Sequence, residues 1–254
     1  MIGNFTILNF NQVESTNDLA FELVKQNKAF NNFIISANSQ SKGRGRLDRN
    51  WESPLGNLYF SLILQPKNSD AVANYSFLTA CAIGDVLRLY GIETKYKWPN
   101  DIILNQKKLA GILLQFQKIN NVNNLVIGVG VNLVSCPEYA VSLVDYGILK
   151  EDFLQKFENV FLAYEEQYRQ FGFSVIRQKW KNNAYKIGEE VKLSSGEVGV
   201  FQDIDGDGNL LLLDDAAKVH RIAVAEILWG RCESNYLKKP ESNSLPVQNL
   251  KEFR

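Results

Sequence analysis

Apolar and polar positions recur along this chain with two periods, and the switches between them outline its elements. Residues 5–10 (FTILNF) are short, β-branched and aromatic, which predicts a strand. Ser15, Thr16 and Asn17 are all helix N-cap types; Leu19, Leu23 and Val24 then repeat at helical spacing, with Asp18 placed to favour the first turn. Two strands follow, over 33–38 and 57–65, and in the second Leu58, Phe60, Leu62 and Leu64 alternate onto one face. Tyr75, Leu78, Ala82, Val86 and Leu89 predict a helix over about 71–90 that Gly91 stops. The strand 107–117 (KKLAGILLQFQ) gathers Ala110, Ile112, Leu114 and Phe116 on one face. Parity assigns Lys108 to that same largely apolar face and Lys107 to solvent. In 126–133 (VIGVGVNL), Gly128, Gly130 and Asn132 share a face. Phe153, Phe157, Phe161, Tyr164 and Tyr168 then form a helical stripe that reads as core packing, and a short helix over about 174–182 carries Val175, Ile176 and Trp180. From Gly188 the texture changes to short strands and tight turns, ending in 226–230 (EILWG), which predicts a small β barrel or sandwich.

This order predicts an α+β fold. A mixed central sheet flanked by helices spans residues 1–186, a small β-barrel domain spans 187–232, and a polar tail of 233–254 frays. The 254 residues are enough for one large domain and one small one. Lys+Arg and Asp+Glu both number 28, and a neutral chain argues against a general nucleic-acid binder. Cys81, Cys136 and Cys232 are widely spaced, which fits neither a disulfide framework nor a zinc site and suits a reducing cytoplasm. The first residues lack a basic n-region and a long apolar run, and no stretch approaches about 18 apolar residues, so neither a signal peptide nor a membrane span is expected.

Against this neutral background residues 40–54 (QSKGRGRLDRNWESP) stand out. Arg44, Arg46 and Arg49 fall within six positions, two of them alternating with Gly43 and Gly45, before Trp51. Glycine lets backbone N–H groups approach a ligand, arginine offers forked donors to carboxylate and phosphate, and tryptophan gives a flat face. Gly-Arg repeats also occur in disordered RNA-binding segments; here two predicted strands tether the loop. It has little apolar anchorage, so it is expected to be mobile without ligand. The turn 97–104 (KWPNDIIL) offers Asn100 and Asp101 either to a site or merely to a bend beside a half-buried Trp98. Gly111 inside a strand suggests close approach of a ligand or another backbone, and Lys108 is either a site cation or a snorkelling lysine. The flat Gly128–Gly130 face would accept a ligand ring or a tight sheet-to-helix contact. It is no G-x-G-x-x-G fingerprint. Residues 203–214 (DIDGDGNLLLLD) imitate a calcium loop, but their strand-like flanks and a twelfth-position Asp speak for a hairpin. With His220 as the only histidine, histidine metal clusters and Ser-His-Asp catalysis have little support.

Taken in order, S-T-N, G-R-G-R-x-x-R-x-W-x-S-P, K-W-P-N-D, K-L-A-G-I-L and G-x-G-x-N-L resemble the biotin protein ligases over about residues 5–230. The resemblance implies a class II synthetase/biotin-lipoate ligase-like sheet with an SH3-like C-terminal barrel. It is to the type without an N-terminal DNA-binding domain, since the first ligase strand begins near Phe5. It implies ATP-dependent activation of biotin to biotinyl-5′-AMP and transfer to a lysine of a biotin carboxyl carrier domain, with Mg²⁺ accompanying the ATP and no protein metal site. Members of the family occur as monomers and homodimers. By position, Ser15, Thr16, Asn17, Gln40, Arg44, Gly45, Arg46, Lys108 and Gly111 would surround biotin. Arg46, Arg49, Trp51, Asn100, Lys108 and Asn132 would hold the adenylate. Lys108 and Arg46 would act in catalysis, with Asp101 the candidate to orient or deprotonate the acceptor lysine. One position departs from the family: Asp48 stands where a glycine is usual. The nearest rival is a lipoate or octanoate ligase or transferase; a non-catalytic small-anion binding protein is the other.

Overall fold

The structure, a computed structural model, describes residues 5–67 and 72–228. The expected tail, Cys232, the start of the helix at Ala71 and the end of the last expected strand lie outside the described residues. The larger sheet has seven strands: β1 (Thr6–Phe10), β2 (Phe33–Ala37), β3 (Leu58–Leu64), β4 (Lys95–Lys97), β5 (Asp101–Leu104), β6 (Lys107–Ile119) and β7 (Val122–Val131). They lie in the order β1-β2-β3-β7-β6-β5-β4, with β1 and β2 parallel and every other pair antiparallel.

Helix α1 (Thr16–Lys25) covers one face, where Ala20, Phe21 and Val24 pack on Ile35, Ile63 and Val126. Its N-terminus is capped by Ser15, whose Oγ accepts from the Asp18 N–H at 3.3 Å. Helices α2 (Asn74–Leu89), α3 (Lys150–Phe171) and α4 (Phe173–Asn182) cover the other face, and the aromatic stripe of α3 meets the sheet there, with Phe157 edge-on to Phe60. Because both faces are covered, β3 is buried along its whole length and does not show the one-sided alternation its leucines suggest. Leu89 also departs from expectation, projecting from α2 into solvent.

A bulge corrects the parity of β6. Ile102 pairs with Ala110 but Ile103 pairs with Lys108, so the register skips Leu109. Ala110 and Ile112 keep the helix-covered face, while Lys108 is turned to the opposite face with Asp101 and Gly111.

The C-terminal strands β8 (Glu190–Lys192), β9 (Val198–Ile204), β10 (Leu210–Leu213) and β11 (Val219–Ile222) form an open antiparallel sheet in the order β11-β10-β9-β8; among the described residues it does not close into a barrel. After β11 the chain returns to the end of β8, where Leu193 and Ile227 form an antiparallel bridge. The two sheets are locked together. The Trp98 indole, fully buried rather than half-buried, donates to the Gly208 carbonyl at 3.0 Å. Arg177 and Lys181 of α4 pair with Asp203 at 2.8 and 2.7 Å. The calcium-like loop is a hairpin turn, in which Asp205 Oδ1 accepts from the N–H groups of Asp207 and Asn209.

Candidate active site

Opposite the face covered by α2 to α4, the sheet carries a floor bared by Gly111, Gly128 and Gly130. Asp101, Gly111, Gly130 and Tyr59 lie side by side across β5, β6, β7 and β3, and Leu113, Gly128 and Ser61 form the next row. Trp51 lies directly on this floor: a Cβ at Gly130 would stand 2.5 Å from its Nε1, and one at Gly111 3.0 Å from its ring. The Trp51 Nε1 is buried without a hydrogen-bond partner.

The bulge of β6 brings the Lys108 ammonium to 2.7 Å from Asp101 Oδ1 and 5.2 Å from the Trp51 ring centroid. In the turn between β4 and β5, Asn100 donates its amide to the Ile112 carbonyl at 2.7 Å, and its Oδ1 accepts from Arg46 at 3.4 Å. The arginine loop closes over this wall. Its backbone is tied by Gly45 N–H to the Arg49 carbonyl (2.7 Å) and Trp51 N–H to the Gly43 carbonyl (2.9 Å). Leu47 and Asp48 both sit at positive φ, 54° and 57°. Arg44 turns back to Asp18 on α1, whereas Arg46 and Arg49 face the carboxylate of Glu226, with Arg49 at 2.8 Å. Burial draws the Arg46 guanidinium below its usual range, and Glu226 and Asp101 oppose that shift.

At the α1 end the cavity is hydrogen-bonded, and its one charged lining group, Arg44, is paired with Asp18. Gln40 Oε1 accepts from the Thr16 N–H at 2.8 Å, Ser61 lies between Thr16 and Asn17, and the Asn17 amide rests on Gly128. One cavity is therefore lined at one end by neutral polar groups and the paired Arg44, and at the other by Arg46, Arg49, Lys97 and Lys108, against the carboxylates of Asp101 and Glu226.

The residues singled out from the motifs, Ser15 to Asn17, Gln40, Arg44, Gly45, Arg46, Arg49, Trp51, Asn100, Asp101, Lys108 and Gly111, all line this cavity. Asn132 does not; it donates its amide to the Val141 carbonyl at 3.2 Å and braces the loop behind the floor. Sequence reading missed Ser61, Tyr139 and Glu226. Ser61 is masked by its leucine-rich strand, and Glu226 reaches the site only because the second sheet folds back onto the first.

The sequence and the fold that carry this cavity match known proteins. The sequence model of the Biotin/lipoate A/B protein ligase family matches residues 9–132. The chain is 33% identical over 216 residues to the biotin–[acetyl-CoA-carboxylase] ligase of Paracoccus denitrificans, covering 77% of this chain and 90% of that one. It is 32% identical to the bifunctional ligase/repressor BirA of Bacillus subtilis, covering 86% and 72%. Among solved structures, the Aquifex aeolicus biotin protein ligase in complex with biotin and ATP superposes with a TM-score of 0.77 at 25% identity, over 88% of this chain and 97% of that one. The chain belongs to the biotin protein ligase family.

Proposed function

We propose that the chain activates biotin with ATP as biotinyl-5′-AMP and transfers the biotinyl group to a lysine of a biotin carboxyl carrier domain. One observation carries this reading: a single cavity joins a neutral, hydrogen-bonded end at Thr16, Asn17 and Gln40 to a cationic end at Arg46, Arg49 and Lys108. A neutral bicyclic ring fits the first and two anions fit the second.

In the first step a carboxylate oxygen attacks the α-phosphorus of ATP, and the bond to the β-phosphate oxygen breaks to release pyrophosphate. Both reactants are anions. Arg46 and Lys108 between them offset the repulsion and favour the more highly charged transition state. Trp51 and the Gly111–Gly130 floor offer a flat apolar slot for the adenylate. Among the described residues no group of three or more His, Cys, Asp or Glu side chains could hold a metal; Mg²⁺ would be held by the nucleotide's phosphates. In the second step a neutral amine attacks the acyl carbon, AMP leaves, and an amide bond forms as the nitrogen loses a proton. Asp101, at 2.7 Å from Lys108, is the carboxylate positioned to take it.

Residues 1–186 would form the catalytic domain, 187–232 an SH3-like module and 233–254 a tail, and the cytoplasm would be the working compartment. ATP–pyrophosphate exchange with purified protein tests the activity, with biotin, lipoate or octanoate added in turn. Exchange with biotin alone is expected. Exchange with lipoate or octanoate instead would assign the chain to that chemistry, and exchange with none would leave an anion-binding protein.

A further inference from the structure

We propose that Ser61 is a positioning residue that commits the Thr16 hydroxyl to accept, rather than donate, a hydrogen bond from the ligand, and so selects a ring that bears an N–H. The inference rests on the biotin-ligase reading and sharpens it.

Ser61 sits in β3, wholly buried. Its Oγ is 2.7 Å from Thr16 Oγ1 and 2.6 Å from Asn17 Oδ1. A hydroxyl has one proton, so it donates to only one of them. The neighbours decide which. The Arg44 guanidinium can only donate, and it reaches Gln115 Oε1 at 3.4 Å. Gln115 therefore presents its oxygen here, and the Asn17 amide nitrogen donates to that oxygen at 2.8 Å. This turns Asn17 Oδ1 towards Ser61, where a carbonyl oxygen must accept. Gly128 provides the seat, since a Cβ there would stand 2.3 Å from Asn17 Oδ1. The Ser61 proton thus belongs to Asn17, and the short contact to Thr16 is a donation from Thr16.

The other side of Thr16 agrees. Gln40 Oε1 already accepts the Thr16 backbone N–H at 2.8 Å, a group that can only donate. Gln40 Nε2 donates to Ser53 Oγ, and Ser53 donates to the Trp51 carbonyl, both at 3.0 Å. The Gln40 amide is thus held at one end by the Thr16 backbone and at the other by the Ser53 hydroxyl, and does not require the Thr16 hydroxyl, 3.1 Å away. With its proton directed to Ser61, Thr16 Oγ1 offers lone pairs to the cavity it lines. A cyclic urea supplies the N–H that this acceptor needs. A dithiolane or an alkyl chain does not, and leaves the buried oxygen without a donor.

The test compares the full chain with Ser61→Ala, Thr16→Val and the double variant. Calorimetric binding of biotin and of lipoate is measured without ATP, and the KM for ATP in the exchange assay. Ser61→Ala should weaken biotin about tenfold while leaving lipoate affinity and the KM for ATP within about twofold of the parent. In the Thr16→Val background the same change should cost biotin nothing further, because Ser61 acts through Thr16. Unchanged biotin affinity in Ser61→Ala, or an equal loss in both backgrounds, would overturn the proposal. Failure of the parent chain to bind biotin would instead overturn the functional reading, and this proposal with it.

Discussion

Asp48 works against the arginine loop both in backbone and in charge. It holds a left-handed backbone, φ 57°, beside an equally left-handed Leu47, φ 54°. Only glycine adopts that region without steric cost. Its carboxylate also adds negative charge to a loop whose arginines face an anion. Asp48→Gly should lower the KM for ATP in pyrophosphate exchange and leave turnover at saturating ATP intact; an unchanged ATP dependence would reject this. Asp101 makes a different demand. An acceptor lysine is protonated below about pH 10.4, and something must take its proton. Asp101→Asn should slow transfer from preformed biotinyl-5′-AMP by about a hundredfold, and the deficit should narrow as rising pH deprotonates the amine unaided. An equal transfer rate at neutral pH would remove Asp101 from the second step. Lys108 shows how far a single residue is legible in the sequence. Its role in the site could be inferred, but its face could not, because strict alternation fails at a bulge and no residue type announces one at Leu109.

At the scale of elements, period and punctuation located the helices and the longer strands of the larger sheet, though not the short β4 and β5 on either side of the Pro99 turn, because helical spacing and alternation are local properties. What they missed depends on neighbours. The alternating leucines of β3 suggested one buried face, yet α1 covers the other, and Ser61 hides there between two covered rows. Short strands after Gly188 were legible; whether they close was not, since closure depends on long-range pairing. The β9–β10 hairpin shows the same limit from the side of charge. Its acids imitate a metal loop, but Asp205 is committed to the turn. Burial alone would raise its pKa, yet hydrogen bonds from the Asn209 side chain and backbone, from Arg221 and from the Asp207 N–H overcome this and hold it at about 2. A carboxyl whose pKa is depressed on folding stabilises the protein above its unfolded value, about 3.9, and loses that contribution as the pH falls towards 2. Asp205→Asn should therefore cost about 1–2 kcal/mol at pH 7 in urea unfolding, allowing for partial solvent screening, and the difference should shrink as the pH falls through that window. A penalty constant from pH 7 to pH 2 would show that shape, not charge, holds the turn.

For the whole molecule, the second sheet is part of the site rather than an appendage. Trp98, buried under Gly208, precedes Asn100 and Asp101 in the same turn, so the docking of the C-terminal sheet also steadies that wall of the cavity. Glu226 reaches further, setting its carboxylate 2.8 Å from Arg49 and 3.9 Å from Arg46. No local pattern could have paired a glutamate that follows the second sheet with arginines between β2 and β3 of the first. The loop looks unanchored in sequence because Leu47 and its neighbours bury little, and its anchors are Trp51 below and Glu226 above. A half-buried pair of this kind contributes about 1 kcal/mol, or about a fivefold change in how often the loop opens. Trypsin reads that opening directly, since the loop carries its cleavage sites at Arg44, Arg46 and Arg49. Glu226→Ala should be cut in the loop about five times faster than the parent without ligand, and biotin with ATP should protect both by giving the arginines another anion. If parent and variant were cut at the same rate, Glu226 would be an incidental neighbour, and the loop would be held by Trp51 and by the contacts of Arg44 and Arg46 to Asp18 and Asn100.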